Sequence, residues 1–558
     1  MPGEEFVLEC LADATTLNWF AQLQYNDYTL PLPIQESVYN DDLNRWYLTV
    51  ATPEPQIFEL YDLTVGASNL ETDTTANAVR IIPEYRNSYS FIHITDTHLP
   101  GHLFYEDPGS ASDTTEAADL REVIKDINLI NPEFVLLTGD LVNEGELEDF
   151  ENRRVYTRAQ NMLSEFNVPV YLVAGNHDIG GWDDTPPPDG TARRDWWRFF
   201  GWEWLQDPPN GDPYYTQNYS FDYGSEHFTG MESYINYDNY MQNIYGDVSF
   251  TSGQMQWLNS DLVNSSADNN IVFYHMDFDD EIFLDNMGID MVLYGHVHSD
   301  NGSIYDPPFN LSTEATCDGE RAYRVINVNN GTLEPQYTIS AGNNGDNLSI
   351  EYFPDNHGTS DSVLVIIENQ HSLDFQEALV KFKMPPGESN FMVNIGEILQ
   401  VYRSIDLCMV YVSVNIPAND ELAVILTTMP VNSENDVIPD FDMKLQNYPN
   451  PFNPETTISF SLTANDAKSA KLYIYNVKGQ KVKTLFINSH PEPVEESGHN
   501  SGTPSPSIEL RMTQAGSSKY SVTWNGTDDN DQPVSSGLYF YKLKTKTKEL
   551  TKKMLLLR

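Results

Sequence analysis

Five short segments carry side chains able to bind divalent cations, and each follows an apolar run. Asp96 and His98 follow Phe91-Ile92-His93-Ile94, and Asp140 follows Phe134-Val135-Leu136-Leu137 through Thr138-Gly139. Asn176, His177 and Asp178 follow Val170-Tyr171-Leu172-Val173 through Ala174-Gly175. His275 follows Ile271-Val272-Phe273-Tyr274, and Gly295-His296-Val297-His298 follows Met291-Val292-Leu293-Tyr294. Asp-x-His and His-x-His have a spacing of two, which within a strand sets both side chains on one face. A metal ion needs that convergence from one side. Imidazole, carboxylate and amide donors suit Mn, Fe, Zn or Ni, and the lack of thiolates argues against a structural zinc or iron–sulfur site. A lone carboxylate after a glycine, as at Asp140, suits an anion shared by two ions. Glycine before Asp140, Asn176 and His296 lets the chain turn sharply toward a common centre.

The elements that must position these residues alternate in type. Between the first two apolar runs, Leu120, Val123, Ile124, Ile127 and Ile130 share one helical face. Val155, Met162 and Phe166 mark a second helix. This βαβαβ rhythm predicts an α/β domain with parallel strands, and the runs at 271–274 and 291–294 are expected to extend it. In such sheets, sites form at the carboxyl ends of the strands.

Taken together, the five blocks resemble the calcineurin-like metallophosphoesterase superfamily over about residues 89–345. The resemblance implies one metal held by Asp96, His98, Asp140 and His298. It implies a second held by Asp140, Asn176, His275 and His296. Two divalent ions of Mn, Fe, Zn or Ni type would then activate a water for attack on a phosphoric ester. His177, beside Asn176, is the expected general acid or phosphoryl-oxygen donor. The string Asn143-Glu144-Gly145 lacks the Asp-Arg-Gly of the protein Ser/Thr phosphatases. It also lacks the tyrosine that purple acid phosphatases place at the position of Asn143. It is similar to bacterial phosphodiesterase-type members, so diesters are expected over monoesters. Asp178 is expected to fix the loop, His93 to be a satisfied core histidine, and His102 to stand outside the set. The aromatic stretch from Trp182 to Trp204, with Arg193, Arg194 and Arg198, is expected to pack over the site.

The rest of the chain is β-rich. Residues 1–88 show short apolar runs between turn residues, which predicts a small β-sandwich. Residues 346–437 return to that texture without a ligand cluster. Charge then changes abruptly: residues 441–558 hold 15 Lys+Arg and 11 Asp+Glu, whereas the first 440 hold 16 and 72. The break places a module boundary near Val437-Ile438-Pro439. The tail, from Tyr448-Pro449-Asn450-Pro451 to Met554-Leu555-Leu556-Leu557, resembles the type A sorting domain of the bacterial type IX secretion system, an immunoglobulin-like module. Residues 488–508, rich in Ser, Pro, Gly and Glu, are expected to be a flexible insertion. The resulting expectation is a multidomain α/β plus all-β chain: a metallophosphoesterase-type α/β sandwich flanked by β-sandwich, immunoglobulin-like domains at 1–88, 346–437 and 438–558.

Composition excludes several function classes. The 558 residues carry a net charge of −52, which repels nucleic acid and anionic lipid surfaces. No run reaches the ~18–20 apolar residues of a membrane-spanning helix. Cys10, Cys317 and Cys408 are too few and too scattered for a disulfide framework, and are expected to be plain buried thiols. The start, Met1-Pro-Gly-Glu-Glu-Phe, shows no signal-peptide pattern, although the tail's resemblance implies an exported protein whose leader has been trimmed or whose start is misassigned. The expected product is a secreted or cell-surface phosphoesterase acting on a small-molecule or lipid phosphoester, with the secretion machinery as partner of the tail. The rival readings are a surface adhesin or glycan-binding protein with a vestigial catalytic domain, and an extracellular nuclease.

Overall fold

Seven short strands precede the first site-bearing run: β1 (Glu5–Cys10), β2 (Phe20–Tyr25), β3 (Tyr28–Leu32), β4 (Ile34–Asn40), β5 (Arg45–Ala51), β6 (Leu60–Gly66) and β7 (Asp73–Arg80). They form two antiparallel sheets, ordered β1-β5-β4 and β3-β2-β6-β7. Leu8 and Leu48 from one sheet and Leu23 and Tyr61 from the other share a single core. The computed structural model describes residues 1–42, 44–68, 70–99, 112–143, 149–179, 196, 199–200, 218–232, 250, 252–276, 282, 284–342, 347–387, 390–429, 445–463, 471–486, 508–512, 517–544 and 549–557.

The next segment runs β8 (Ser88–Ile94), α1 (Ser112–Ile130), β9 (Val135–Thr138), α2 (Asp149–Leu163), β10 (Val170–Val173), α3 (Asn176–Ile179), β11 (Asn218–Tyr223) and β12 (Glu226–Met231). It continues with α4 (Ser252–Asn264), β13 (Asn269–Phe273), α5 (Leu284–Met287), β14 (Met291–Tyr294), β15 (Phe309–Ser312), β16 (Ala322–Asn329) and β17 (Thr332–Ser340). The predicted parallel order holds for β8, β9 and β10, which lie in a sheet ordered β10-β9-β8-β16-β17. The runs at 271–274 and 291–294 do not extend that sheet. They are β13 and β14 of a second sheet, ordered β11-β12-β13-β14-β15, in which β12 to β15 are parallel. Periodicity could not reveal this, because a strand buried on both faces reads the same in either sheet.

Side chains alternate between two layers along each strand. Phe91, Phe134 and Leu136 of the first sheet meet Ile271, Phe273, Met291 and Leu293 of the second in an aromatic-rich core. Their neighbours Ile92, Ile94, Val135 and Leu137 turn the other way, onto α1 and α2. Val272 and Val292 pack outward on Leu258 and Leu262 of α4. The α1 face predicted from Leu120, Val123, Ile124, Ile127 and Ile130 is fully buried.

Seven further strands follow: β18 (Leu348–Phe353), β19 (Ser362–Asn369), β20 (Phe375–Met384), β21 (Asn390–Val393), β22 (Glu397–Arg403), β23 (Cys408–Ile416) and β24 (Asp420–Met429). Val365, Val380 and Val424 share the core of α1, and Tyr402, Met409 and Tyr411 enter the core of the first seven strands. Apolar continuity of this kind makes Met1–Asn432 one compact unit, with Ser433–Arg558 as a second. The expected boundary at 437–439 and all but the last residue of the expected insertion lie outside the described residues. The second unit holds two four-stranded antiparallel sheets around Phe452, Ile458, Leu472, Trp524 and Leu556.

α4 is tied to the second sheet by charge as well as by packing. His227 on β12 pairs with Asp222 on β11 at 2.6 Å and with Asp261 on α4 at 3.0 Å. Burial lowers the His227 pKa, but the two carboxylates outweigh it and the net shift is upward. A raised folded-state pKa contributes stability that is complete below the unfolded value of about 6.5 and fades as pH rises through the folded value. His227→Gln should therefore lower the melting temperature of the first unit at pH 6 and have little effect at pH 9. Thermal denaturation at the two pH values checks this, and a larger loss at pH 9 would reject it.

Candidate metal centre

The strands deliver the site residues to one place but do not contain them. β8 ends at Ile94 and β14 at Tyr294, so Asp96, His98, His296 and His298 all lie beyond strand ends. The expected same-face geometry of a pleated strand is therefore not what aligns them. They are aligned by left-handed backbone instead: φ is +51° at Asp96, +43° at His98, +50° at Asp140, +70° at His296 and +46° at His298. Such conformations cost about 1–3 kcal/mol each outside glycine and persist only where the surroundings enforce them.

The surroundings here are backbone bonds between successive strand ends. Asp96 N donates to Gly139 O at 3.1 Å, His98 N to Asp140 O at 2.9 Å, and Gly295 N to His275 O at 2.9 Å. His296 N donates to Asp96 Oδ2, and His177 N to Asp140 Oδ1, both at 2.9 Å. Two glycines are required by close approach rather than by turning. A Cβ on Gly295 would stand 1.8 Å from Thr95 Oγ1 and 2.5 Å from Asp96 Oδ2. One on Gly175 would stand 2.2 Å from Asp140 Oδ1. Gly139 alone of the three has a positive φ, +84°.

All seven residues expected as ligands come together. His98 Nε2 lies 3.1 Å from His298 Nε2 and 3.7 Å from Asp140 Oδ2. His298 Nε2 is 3.3 Å from Asp96 Oδ1. His275 Nε2 is 3.0 Å from both Asp140 Oδ2 and Asn176 Oδ1, and its ring centre is 5.2 Å from that of His296. Asp96, Asp140, Asn176 and His275 are buried, whereas His298 is 38 % exposed.

The donor set asks for positive charge. His275 Nδ1 donates to Thr138 O at 2.6 Å, so its Nε2 faces the acceptors Asp140 Oδ2 and Asn176 Oδ1 with a lone pair unless a proton or cation is there. Burial acts against a charged ring, yet Asp140 raises the His275 pKa to about 9. Burial likewise opposes ionised Asp96, but His298 and His98 hold it well below the usual carboxylate range. Asp96 Oδ1 and Asn176 Nδ2 are buried without a hydrogen-bond partner. A buried, unpartnered carboxylate oxygen is costly. Divalent cations would satisfy the Asp96 carboxylate, the Asn176 amide oxygen and the imidazole lone pairs, though not the Asn176 N–H donors, and the residues present fit them. Asp140 falls in two groups of converging donors, one with His98 and His177, the other with His275 and His296.

His177 Nδ1 donates to Asn143 O at 2.8 Å, and its ring stands edge-on to His98 with centres 4.7 Å apart. Burial lowers its pKa. Asp178 fixes the loop as expected, accepting from Val142 N at 3.0 Å and Gly175 N at 2.8 Å. His93 is a satisfied core histidine held by Thr313 and Thr138 at 2.7 and 2.8 Å; burial, with Arg324 beside it, lowers its pKa to about 3. Trp196, Phe199 and Phe200 pack on Tyr156. His102, Glu144, Gly145 and the rest of the aromatic and arginine stretch lie outside the described residues.

Two residues with a part in the site escaped sequence reasoning. Asn143 Oδ1 accepts from His98 Nδ1 at 3.1 Å and orients that ring; its place three residues after Asp140 was the available signal. Cys317 is buried as expected, but its Sγ stands among the donors of His98 and His298. Nothing near it in sequence marks it. Cys408 is buried too, whereas Cys10 is only half-buried.

Residues 89–300 match the family described as calcineurin-like phosphoesterase, and 446–502 match the secretion system C-terminal sorting domain. The chain thus carries a calcineurin-like phosphoesterase domain, whose family uses divalent metals, and a sorting tail that indicates a secreted or cell-surface protein. It is similar to the 3',5'-cyclic adenosine monophosphate phosphodiesterase CpdA of Haemophilus influenzae, 35% identical over 90 residues, 16% of this chain and 29% of that protein. It is also similar to the DNA double-strand break repair protein Mre11 of Methanocaldococcus jannaschii, 37% identical over 89 residues, 16% of this chain and 23% of that one. The chain spans less than a third of the length of these curated relatives. Among solved structures, PhoD aligns with 13% identity over 66% of this chain and 88% of that one, at a TM-score of 0.38.

The glycine contacts generate a direct test. Gly295→Ala should push Thr95 and Asp96 out of place and weaken metal binding by ~10–100-fold, the usual effect of disturbing a ligand's support. Metal titration of the folded variant reads this out; unchanged affinity would show that the close approach is dispensable.

Proposed function

We propose that this chain is an exported hydrolase of phosphoric esters, with phosphodiesters preferred, built around two divalent cations. Asp96, His98, Asp140 and His298 hold one, and Asp140, Asn176, His275 and His296 hold the other. The observation that carries this reading is the place of the buried Asp140 carboxylate, whose Oδ2 stands 3.7 Å from His98 Nε2 and 3.0 Å from His275 Nε2 and so faces a histidine of each set. When bound, such a pair of cations polarises a phosphoryl oxygen and acidifies water. The chain's own residues do the rest. Asn143 orients His98 through its side chain and His177 through its carbonyl. With Nδ1 committed to Asn143, His177 Nε2 is the atom that serves the leaving alkoxide or a phosphoryl oxygen. The ester's negative charge favours the protonated ring that donation requires.

The preference for diesters rests on the string after Asp140, which lacks an arginine, and on the likeness to a cyclic-nucleotide phosphodiesterase. The likeness to Mre11 favours a nuclease as the second reading, but 72 acidic against 16 basic residues in positions 1–440 disfavour grip on a polyanion. The domains proposed are 1–88, 89–345, 346–437 and 438–558, the last an immunoglobulin-like module for type IX secretion. Rates on bis-p-nitrophenyl phosphate, p-nitrophenyl phosphate, cyclic nucleotides, phospholipids and DNA, with Mn, Fe, Zn and Ni added separately, test the reading. No turnover of any ester would reject it, and DNA cleavage outpacing the small diesters would favour the nuclease.

Asp140→Asn removes the charge common to both ions and should leave less than one metal per chain by elemental analysis. Two metals retained would show the assignment to be wrong. His177→Ala should keep both metals, alter KM little and lower kcat by ~10²–10⁴ on alkyl esters. The loss should shrink with p-nitrophenolate, which leaves with little protonation. An equal loss for all leaving groups would make His177 an electrostatic clamp.

A further inference from the structure

We propose that Cys317 supplies a thiolate to the cation held by Asp96, His98 and His298, so that this position has nitrogen, oxygen and sulfur donors while the other has nitrogen and oxygen only. The inference rests on the two-cation reading above and adds to it a residue that decides which metal is chosen.

The ligating atoms of His98, His298 and Cys317 all lie within 4.8 Å of one another. Nitrogen and sulfur bonded to one zinc-like ion at about 2.1 and 2.3 Å stand at most about 4.4 Å apart. Closure by a few tenths of an ångström brings the three donors onto one ion. Asp96 Oδ1 is buried, has no hydrogen-bond partner, and stands 3.3 Å from His298 Nε2 and 3.8 Å from His98 Nε2. A fourth donor therefore converges on the same place, buried and without a hydrogen bond of its own.

The thiol is also held there by more than packing. Cys317 N donates to Asp96 O at 3.1 Å, and Thr316 N to Thr95 O at 3.0 Å, so the segment is stitched to the very turn that carries Asp96. Beyond it the chain turns back through Asp318 and Gly319, with φ of +59° and +82°. That turn is clamped to buried Asp119 of α1, which accepts from Gly319 N at 2.9 Å and Arg321 Nε at 2.6 Å. A route for the proton exists as well. Cys317 Sγ donates to Asp318 Oδ2 at 3.4 Å, and the Asp318 side chain is 73% exposed. On binding, the S–H bond breaks, its electron pair forms the sulfur–metal bond, and the proton passes through the Asp318 carboxylate to water. A sulfur donor favours zinc-like borderline ions over magnesium, calcium or manganese at that one position.

The test loads the metal-depleted full chain with Co(II), counts cobalt by elemental analysis, and records the near-ultraviolet spectrum for a sulfur-to-cobalt charge-transfer band. Wild type should bind two cobalt ions and show the band. Cys317→Ser should lose it and bind the first ion at least tenfold more weakly. Cys10→Ser/Cys408→Ser should keep it, which guards against a Cys317 variant that fails to fold. Two cobalt ions bound without a band, or a band surviving in Cys317→Ser or lost in the double variant, would overturn the thiolate and leave the two-cation reading intact. No cobalt bound at all would overturn both.

Discussion

Two buried carboxylates, Asp96 and Asp140, stand within 4 Å of imidazole nitrogens in a place that water hardly reaches. Removing ionised carboxylates from water is expensive unless positive charge meets them. The local architecture follows from that requirement. His275 must carry a proton or face a cation, Asn143 must present its amide oxygen to His98 and its carbonyl to His177, and Asp178 must take up backbone N–H groups rather than join the cluster.

Holding this arrangement requires a stiff frame. Five residues in left-handed backbone, at about 1–3 kcal/mol each, amount to roughly the whole stability of an ordinary domain, about 5–15 kcal/mol. Only a large apolar interior can offset that. The two central sheets are covered on every broad face: by each other, by α1 and α2, and by α4. The sheets of β18 to β24 add to the same core behind α1. This explains why the β-rich segments before and after the site belong to one compact unit although, among the described residues, none of the converging donors comes from them. The tail, with its own core around Trp524, is a separate unit and carries the match to the secretion sorting domain.

The asymmetry of the centre bears on selectivity. Asp140 Oδ2 faces fully buried His275 at 3.0 Å on one side and His98 at 3.7 Å on the other, beside which His298 is 38 % exposed. Among the described residues, a thiol joins the donors of His98 and His298, and none joins those of His275 and His296. On the two-cation reading proposed above, positions that differ in donor softness need not take the same ion, and the Asp140 carboxylate would couple their occupancies.

The sequence by itself determined which polar side chains stand at the strand ends and converge, because apolar runs ending in Asp, Asn and His are visible without coordinates. It also determined the α1 face, through the 3.6-residue period of Leu120 to Ile130, and the loop-fixing part of Asp178. It could not distribute the strands between sheets: β13 and β14 are apolar on both faces, and such runs carry no mark of their partners. Nor could it give the backbone. Asp-x-His and His-x-His suit a pleated strand by spacing, yet tertiary bonds from neighbouring strand ends impose left-handed turns on them instead. Cys317 lies 19 residues past the last histidine of the set and in no motif. Only the folding of its segment against Thr95 and Asp96 brings sulfur to the site, since convergence of residues distant in the chain is a property of packing and not of local pattern.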